Sequence, residues 1–432
     1  MIPRFVRFFS SLWLTVVCLA LALILVLAGT LAQVRLGLYA VQAQFFHSFL
    51  VYWTPTGTGL KIPVLPGGWL LGAVLVVNLM AAHIQRFQFA RRKAGLFLVH
   101  AGLILLLLGQ FFSEIFQTES TMRLGLGESK NYSEDSRRDE LAVIDVTDPA
   151  SDRVVAIPQA LLEKGGDLHP AGLPFALRVK DYFGNSLPAG PMSGGGGKLQ
   201  AANGIGRHLL FTAAPVTARL DEENKPAALV EVVSEKGSQG SWTVSTWLTR
   251  RPWSSILQGQ FGALPGVAID GPQTFTLNGR TYELALRAVR HYTPYTLSLL
   301  EFKHDVYPGT DIPSNFSSKI HLYDAARGED RDVVIRMNRQ LRYRGVAYYQ
   351  ASFEPGDRVS ILQVVRNPAS VTPYVACGMI AAGLGVQFLM HLFGFARKRA
   401  RQTTPGLPPV AAVKTRRVAP EPALAALERN PS

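Results

Sequence analysis

KAGLFLVHAGLILLLLGQFF, Lys93 to Phe112, decides how the chain is read. Positive charge gathers just before it, at Arg86, Arg91, Arg92 and Lys93. It then stays apolar for about 18 residues, roughly the helix length that crosses a bilayer's hydrocarbon core. Beyond it, from Glu114 to Thr372, the chain turns polar and strand-like. The stretch is therefore expected to be a membrane helix that delivers a large domain to the far side. It also carries His100, about five residues or roughly 8 Å into the helix at 1.5 Å per residue. An ionisable side chain inside a membrane helix is costly and marks a functional site by default.

Working outward, the placement of charge fixes the topology. The net charge of +13 is not spread over a nucleic-acid surface. The N-terminal tail (Arg4, Arg7), the loop from Ile84 to Ala94 and the tail from Phe395 together supply 12 of those 13 charges. Arg35 and Lys61 in the first loop add two, so the remainder sums to −1. That is the positive-inside pattern of a membrane protein and gives no nucleic-acid partner. The two cysteines, Cys18 and Cys377, both lie in apolar runs. They form no CxxC or CxxCH motif, which argues against a thiol reductase or a c-type cytochrome.

The expected order follows. Residues 1–11 are a cytoplasmic tail and 12–32 a first transmembrane helix, an uncleaved signal anchor. Residues 33–63 are an extracytoplasmic loop, with an amphipathic helix expected over Val41–Val51. Its aromatics read chiefly as packing or interfacial anchors, and His47 among them could face either way. Residues 64–84 are the second span, 85–94 the basic loop and 95–113 the third span. Residues 114–372 form the extracytoplasmic β-rich domain. Residues 373–394 are the fourth span, where Gly378, Ala382, Gly383, Ala381 and Gly385 give small-xxx-small spacings for close helix approach. Residues 395–432 are a basic, disordered tail. Within the β domain, period-two alternation marks strands at Leu141–Val146, Phe175–Val179, Leu229–Val233, Trp242–Trp247, Lys319–Tyr323 and Val333–Met337. Asn278-Gly279 reads as a hairpin turn, and a second hairpin turns at Arg344-Gly345. The glycine-rich segment Gly190–Gly206 reads as a flexible loop. The fold class is thus an α-helical membrane protein with four transmembrane helices and a large, mostly antiparallel β domain, a sandwich or an open barrel.

Asn338-Arg339-Gln340-Leu341-Arg342-Tyr343-Arg344-Gly345, followed by Tyr348-Tyr349-Gln350-Ala351-Ser352-Phe353-Glu354-Pro355-Gly356, resembles the run that precedes the last span in the ResB (CcsB) family. Gln340 stands where that family commonly has proline. Glu301-Phe302, Tyr307-Pro308-Gly309, Pro313 and Phe316-Ser317-Ser318 resemble a second family stretch, and the first and third spans are similar to the family's. Residues 150–270 carry no matching pattern. The resemblance implies a System II cytochrome c biogenesis protein of the cytoplasmic (inner) membrane, multi-pass, with both termini cytoplasmic and the large domain periplasmic or on the outer face. It implies a ResC/CcsA-type membrane partner, apocytochrome c as client, and haem b bound transiently with the partner. It implies His100 as a haem axial ligand, the position matching the family's third-span histidine. The partner's tryptophan-rich motif is not found here, so the chain is expected to be an accessory subunit of a haem lyase complex rather than a lyase acting alone.

Each candidate has a plainer reading. His100 also suits a hydrogen bond to a neighbouring helix. His83 and His391, at span ends, suit snorkelling, and His291, His304 and His321 suit ordinary strand or loop positions. Arg339, Arg342 and Arg344 suit contacts to haem propionates or a partner, since guanidinium pairs bidentately with carboxylate; they also suit a solvated hairpin face. Apart from haem iron no metal site stands out, and no catalytic acid–base pair does. The competing function is a cofactor-free membrane-anchored scaffold whose β domain holds partner proteins.

Overall fold

Apolar composition makes four long helices. They are α1 (Leu12–Leu36), α2 (Gly68–Arg86), α3 (Ala94–Phe116) and α4 (Thr372–Thr403). In the computed structural model, which describes residues 4–55, 59–86, 93–189, 198–219, 222–250, 253–261, 271–309, 313–354, 356 and 358–403, these four are long and apolar enough to cross a membrane. Most of the basic loop, the glycine run at 190–197 and the tail from 404 lie outside the described residues.

Polar side chains and glycines set the helix contacts. A short helix, Arg4–Phe9, stops before α1, and buried Asn78 on α2 bridges the break. Its Nδ2 donates to Phe9 O (2.6 Å) and Ser11 O (3.0 Å), and its Oδ1 accepts from Thr15 Oγ1 (2.6 Å). Between α3 and α4 the seam is Gly95, Gly102 and Gly109, seven residues apart and all buried. A Cβ on Gly102 would stand 2.7 Å from Ile380 Cγ1 and 2.9 Å from Ala376 O. Gly383 faces this seam, its Cβ position 2.7 Å from Gly95 O, whereas Gly378 and Gly385 have open space. Of the expected small-residue spacings on α4, only the Gly383 face is in use. The decisive glycines are on α3, where they pass for part of an apolar run.

The first loop departs from expectation. Its helix is earlier and shorter, Leu38–Val41 continuing as a π-turn over Gln42–Phe46. The residues after it form a hairpin, Leu50–Trp53 against Ile62–Pro66, so α2 begins at Gly68 rather than near Val64. Backbone pairing across the hairpin satisfies groups that an interfacial helix would have bonded internally. His47 Nε2 lies 2.8 Å from Glu114 Oε1, tying this loop to the end of α3.

The β domain is a sandwich and a barrel sharing strands. In chain order its main strands begin with β1 (Thr118–Gly125), β2 (Ser129–Asp145), β3 (Arg153–Pro158), β4 (Ala176–Phe183), β5 (Ala227–Ser234), β6 (Gly237–Ser245) and β7 (Gln273–Leu277). They continue as β8 (Arg280–Val306), β9 (Pro313–Asp324), β10 (Glu329–Arg336), β11 (Leu341–Tyr343), β12 (Val346–Phe353) and β13 (Val359–Arg366). The main sheet runs β10-β9-β8-β2-β1-β13-β12-β11, with β7 beside β8 and β3 beside β2. A smaller sheet, β6-β5-β4 and Gly166–Leu168, covers one part of it. Two long strands serve both lobes because their pairing slips, between Ala288 and Arg290 and again between Tyr292 and Leu297 of β8. Extra residues of this kind bend a strand and increase its twist. Beyond the bend, β8 to β13 and β1 curl into a nearly closed barrel around Met122, Leu124, Tyr295, Leu297, Ile320 and Tyr348. Before it, β2, β7 and β8 pack on β4 to β6 around Leu141, Leu177, Val230, Trp242 and Leu286.

Both expected hairpin turns are present. Asn278-Gly279 has φ of +51° and +76°, and Arg344-Gly345 +47° and +77°, the doubly left-handed pair of a type I′ turn. The expected strand at Trp242–Trp247 ends earlier. Ser245 accepts a hydrogen bond from Trp247 N (3.2 Å) and caps a helical turn, Thr246–Thr249.

Candidate functional site

His100 sits in the first third of α3, half-buried, on the side turned toward α2. Its Nδ1 lies 2.8 Å from Leu96 O, one turn back. With Nδ1–H donated to that carbonyl, Nε2 carries the lone pair, the arrangement used by histidines that ligate metals. The His83 ring stands beside it, centroids 6.0 Å apart, and packs on Phe97 at 4.8 Å. At the end of its span His83 suits snorkelling by sequence, and the structure gives it a neighbouring histidine instead. The signal for the pairing was symmetry: His83 and His100 are each eight residues from the Arg91-Arg92 pair, so an antiparallel helical hairpin sets them level. His391 pairs instead with Gln387 of its own helix, Nε2 to Nε2 2.9 Å.

The three candidate arginines part company. Arg344 is engaged by fully buried Asp324, Nε to Oδ2 2.8 Å and Nη2 to Oδ1 3.2 Å. Asp324 also accepts from Tyr343 OH (2.8 Å). Burial alone would raise its pKa; Tyr343, Arg344 and neighbouring backbone amides outweigh it and hold the carboxyl below its usual range. Arg339 and Arg342 remain exposed. The Gln340 side-chain amide stands beside the Arg342 guanidinium; turned so that its oxygen faces the arginine, it accepts from Nε (3.1 Å) and Nη2 (3.2 Å).

The rest of the family-like run builds the barrel core. Leu341, Tyr343 and Tyr348 are buried, and Tyr348 OH meets Tyr295 OH at 2.8 Å. Gln350 accepts from Ser318 Oγ (2.6 Å) and donates to Ser360 Oγ (3.1 Å). Glu354 takes the Arg123 guanidinium, Nη2 to Oε2 2.7 Å. Phe302 and Phe316 of the second stretch close on Phe353 at ring distances of 5.3 and 5.7 Å. Both stretches thus meet in one core.

Residues 273–361 match the ResB-like family. Over that stretch the chain is similar to the family. The match runs from β7 to the first residues of β13 and so covers most of the barrel strands, including the Tyr295–Tyr348 and Arg344–Asp324 contacts. The chain is also 28% identical over 112 residues to Protein NrfI of Wolinella succinogenes; the matched part is 26% of this chain and 12% of NrfI. The chain therefore spans only about an eighth of that relative.

Two further features escaped the sequence. Asp139, on β2, is 7% exposed, and its Oδ1 has no hydrogen-bond partner among the described residues. Burial pushes its pKa up to about 6, with Arg250 opposing and Glu223, Asp135 and Glu140 adding. The second is a cavity of about 420 Å³ where α3 and α4 meet β12 and β13, with Arg342 in its wall. Among the described residues no group of three or more His, Cys, Asp or Glu side chains forms a metal-ion cluster.

Proposed function

We propose that this ResB-like chain is a membrane subunit of a System II cytochrome c maturation complex. Its four long helices lie in the cytoplasmic membrane, with both termini inside and the β domain outside. It works with a ResC/CcsA-type partner, and apocytochrome c is the client of the complex. The observation that carries this reading is the ResB-like match, which falls on the strands and buried contacts of the barrel.

Haem is cargo in this reading, and the residues present suit it. His100 offers Nε2, the ring nitrogen not spent on Leu96, to haem iron, which accepts neutral imidazole as an axial ligand. A histidine in the cytoplasmic third of a membrane helix is placed to receive an apolar macrocycle from the inner side. Arg339 exposes its guanidinium for a partner protein or for haem carboxylates, Arg342 lines the cavity beside the ends of α3 and α4, and Arg344 is held by Asp324. Attachment chemistry is left to the partner, which makes this chain an accessory subunit. The test is the visible spectrum of the purified chain, with and without a co-expressed partner, in wild type and His100→Ala. A Soret band lost in the variant supports the reading. No band in any preparation favours a cofactor-free scaffold.

A further inference from the structure

The cavity at the junction of helices and barrel is unlike the others in the β domain. Its walls come from the ends of two helices and from the hairpin that turns at Arg344-Gly345. Gln110 is the first polar residue after Leu105–Leu108 on α3, and Thr372 and Pro373 open α4. If α3 and α4 span the bilayer, the cavity stands where hydrocarbon gives way to headgroups. Tyr374, 72% exposed at its rim, is the residue type that gathers at this level.

Its chemistry is that of an anion-binding site. Arg342 is the one charged side chain among the described residues that line it. No carboxylate pairs with this guanidinium among the described residues; the Gln340 amide, turned so that its oxygen faces Arg342, engages Nε and one Nη2 hydrogen. Three of its five N–H groups therefore remain for a ligand. Register explains why it points here. Arg342, Ala347 and Val365 lie in one cross-strand row, on the sheet face opposite to the row Leu341, Tyr348 and Val364 that fills the barrel. The Arg342 row thus faces the helix ends. Gln110 and Ser370 add donors beside it, while Asn367 is spent on Ser113 Oγ and Gln117 Oε1, both at 3.0 Å, holding β13 to α3. A lone guanidinium beside a low-dielectric layer attracts an anion more strongly than in water. Arginine also matches phosphate through two parallel hydrogen bonds. At about 420 Å³ the space falls within the range of small-molecule sites.

We propose that this cavity binds the phosphate headgroup of an acidic phospholipid from the outer leaflet, with Arg342 as its counter-charge, and so fixes the barrel to the membrane surface. The proposal rests on the helices being membrane spans and does not depend on haem. The full-length chain in neutral detergent is titrated with dihexanoyl phosphatidylglycerol, dihexanoyl phosphatidylcholine and inorganic phosphate, following binding by native mass spectrometry and thermal shift. Wild type is expected to bind the glycerol lipid at least tenfold more tightly than the choline lipid, and inorganic phosphate more weakly still. Arg342→Gln is expected to lose that preference, Arg342→Lys to keep part of it, and Arg339→Gln, outside the cavity, to keep it all. Equal binding of the two lipids, or unchanged selectivity in Arg342→Gln, overturns the proposal. Inorganic phosphate binding as tightly as the lipid assigns the site to the free anion and overturns the lipid assignment. Arg342 is exposed, so its variants are expected to fold; equal melting temperatures without ligand confirm it. The Soret band of the same preparations reports on the haem reading, so the two ideas fail separately.

Discussion

Replacing Tyr348 with phenylalanine removes one oxygen from the middle of the ResB-like run. Tyr348 is fully buried in the barrel, and its hydroxyl meets Tyr295 OH at 2.8 Å. Tyr295 is itself 3% exposed, its ring edge-on to Tyr343 with centroids 4.9 Å apart. Burial raises the Tyr348 phenol's pKa, so the group stays neutral and pH does not complicate the result. The variant leaves the Tyr295 hydroxyl buried without this partner, at a cost of ~1–3 kcal/mol. For a domain of this size each kcal/mol shifts the melting temperature by about 2–4 °C. Tyr348→Phe and Tyr295→Phe are each expected to lower the transition of the full chain in detergent by several degrees. The double variant is expected to lose less than the sum, because removing both hydroxyls leaves no orphaned group. Strict additivity within ~0.5 kcal/mol would refute the claim that these two family-region tyrosines act as one buried unit.

Two other perturbations probe separate parts of the account. Gly102→Ala is expected to destabilise the α3–α4 pair by ~1–3 kcal/mol, since its methyl group meets Ile380 and a backbone oxygen that cannot turn aside. Gly378→Ala, in open space, is expected to be neutral or to gain up to ~1 kcal/mol of helix propensity; melting in detergent compares the two. Asp139→Asn tests the buried carboxyl on β2. Its native pKa of about 6 lies above the ordinary 3.8, so the native state holds the extra proton between these values and ionisation above them is destabilising. The asparagine variant is therefore expected to gain up to ~3 kcal/mol at pH 7.5 and to lose that advantage by pH 4. A gain that does not change between pH 4 and pH 7.5 contradicts the assignment.

What the sequence made legible follows the range of the forces involved. The helices showed because hydropathy is a local property. The two hairpins showed because Asn-Gly and Arg-Gly answer a local steric demand, positive φ at both central positions. The β lobes were not separable in sequence because their pairing is distant: Thr118 pairs with Arg366, and the slips that bend β8 have no composition signature. The family-like run was visible as a pattern, yet its conspicuous tyrosines serve the core and one of its three arginines is tied to Asp324. His83 was visible as a residue and not as a neighbour, because a histidine beside a basic loop reads the same whether or not a second one stands opposite. The glycine seam was hidden for the opposite reason: within an apolar helix, Gly95, Gly102 and Gly109 add nothing to the hydropathy that identified it.

The most direct test of the central claim is the absorption spectrum of the chain purified with a ResC/CcsA-type partner, wild type against His100→Ala. A Soret band is expected in the wild-type complex and is lost or strongly reduced in the variant, with complex assembly unchanged. A band of equal intensity and position in both would place haem elsewhere and contradict the role given to His100.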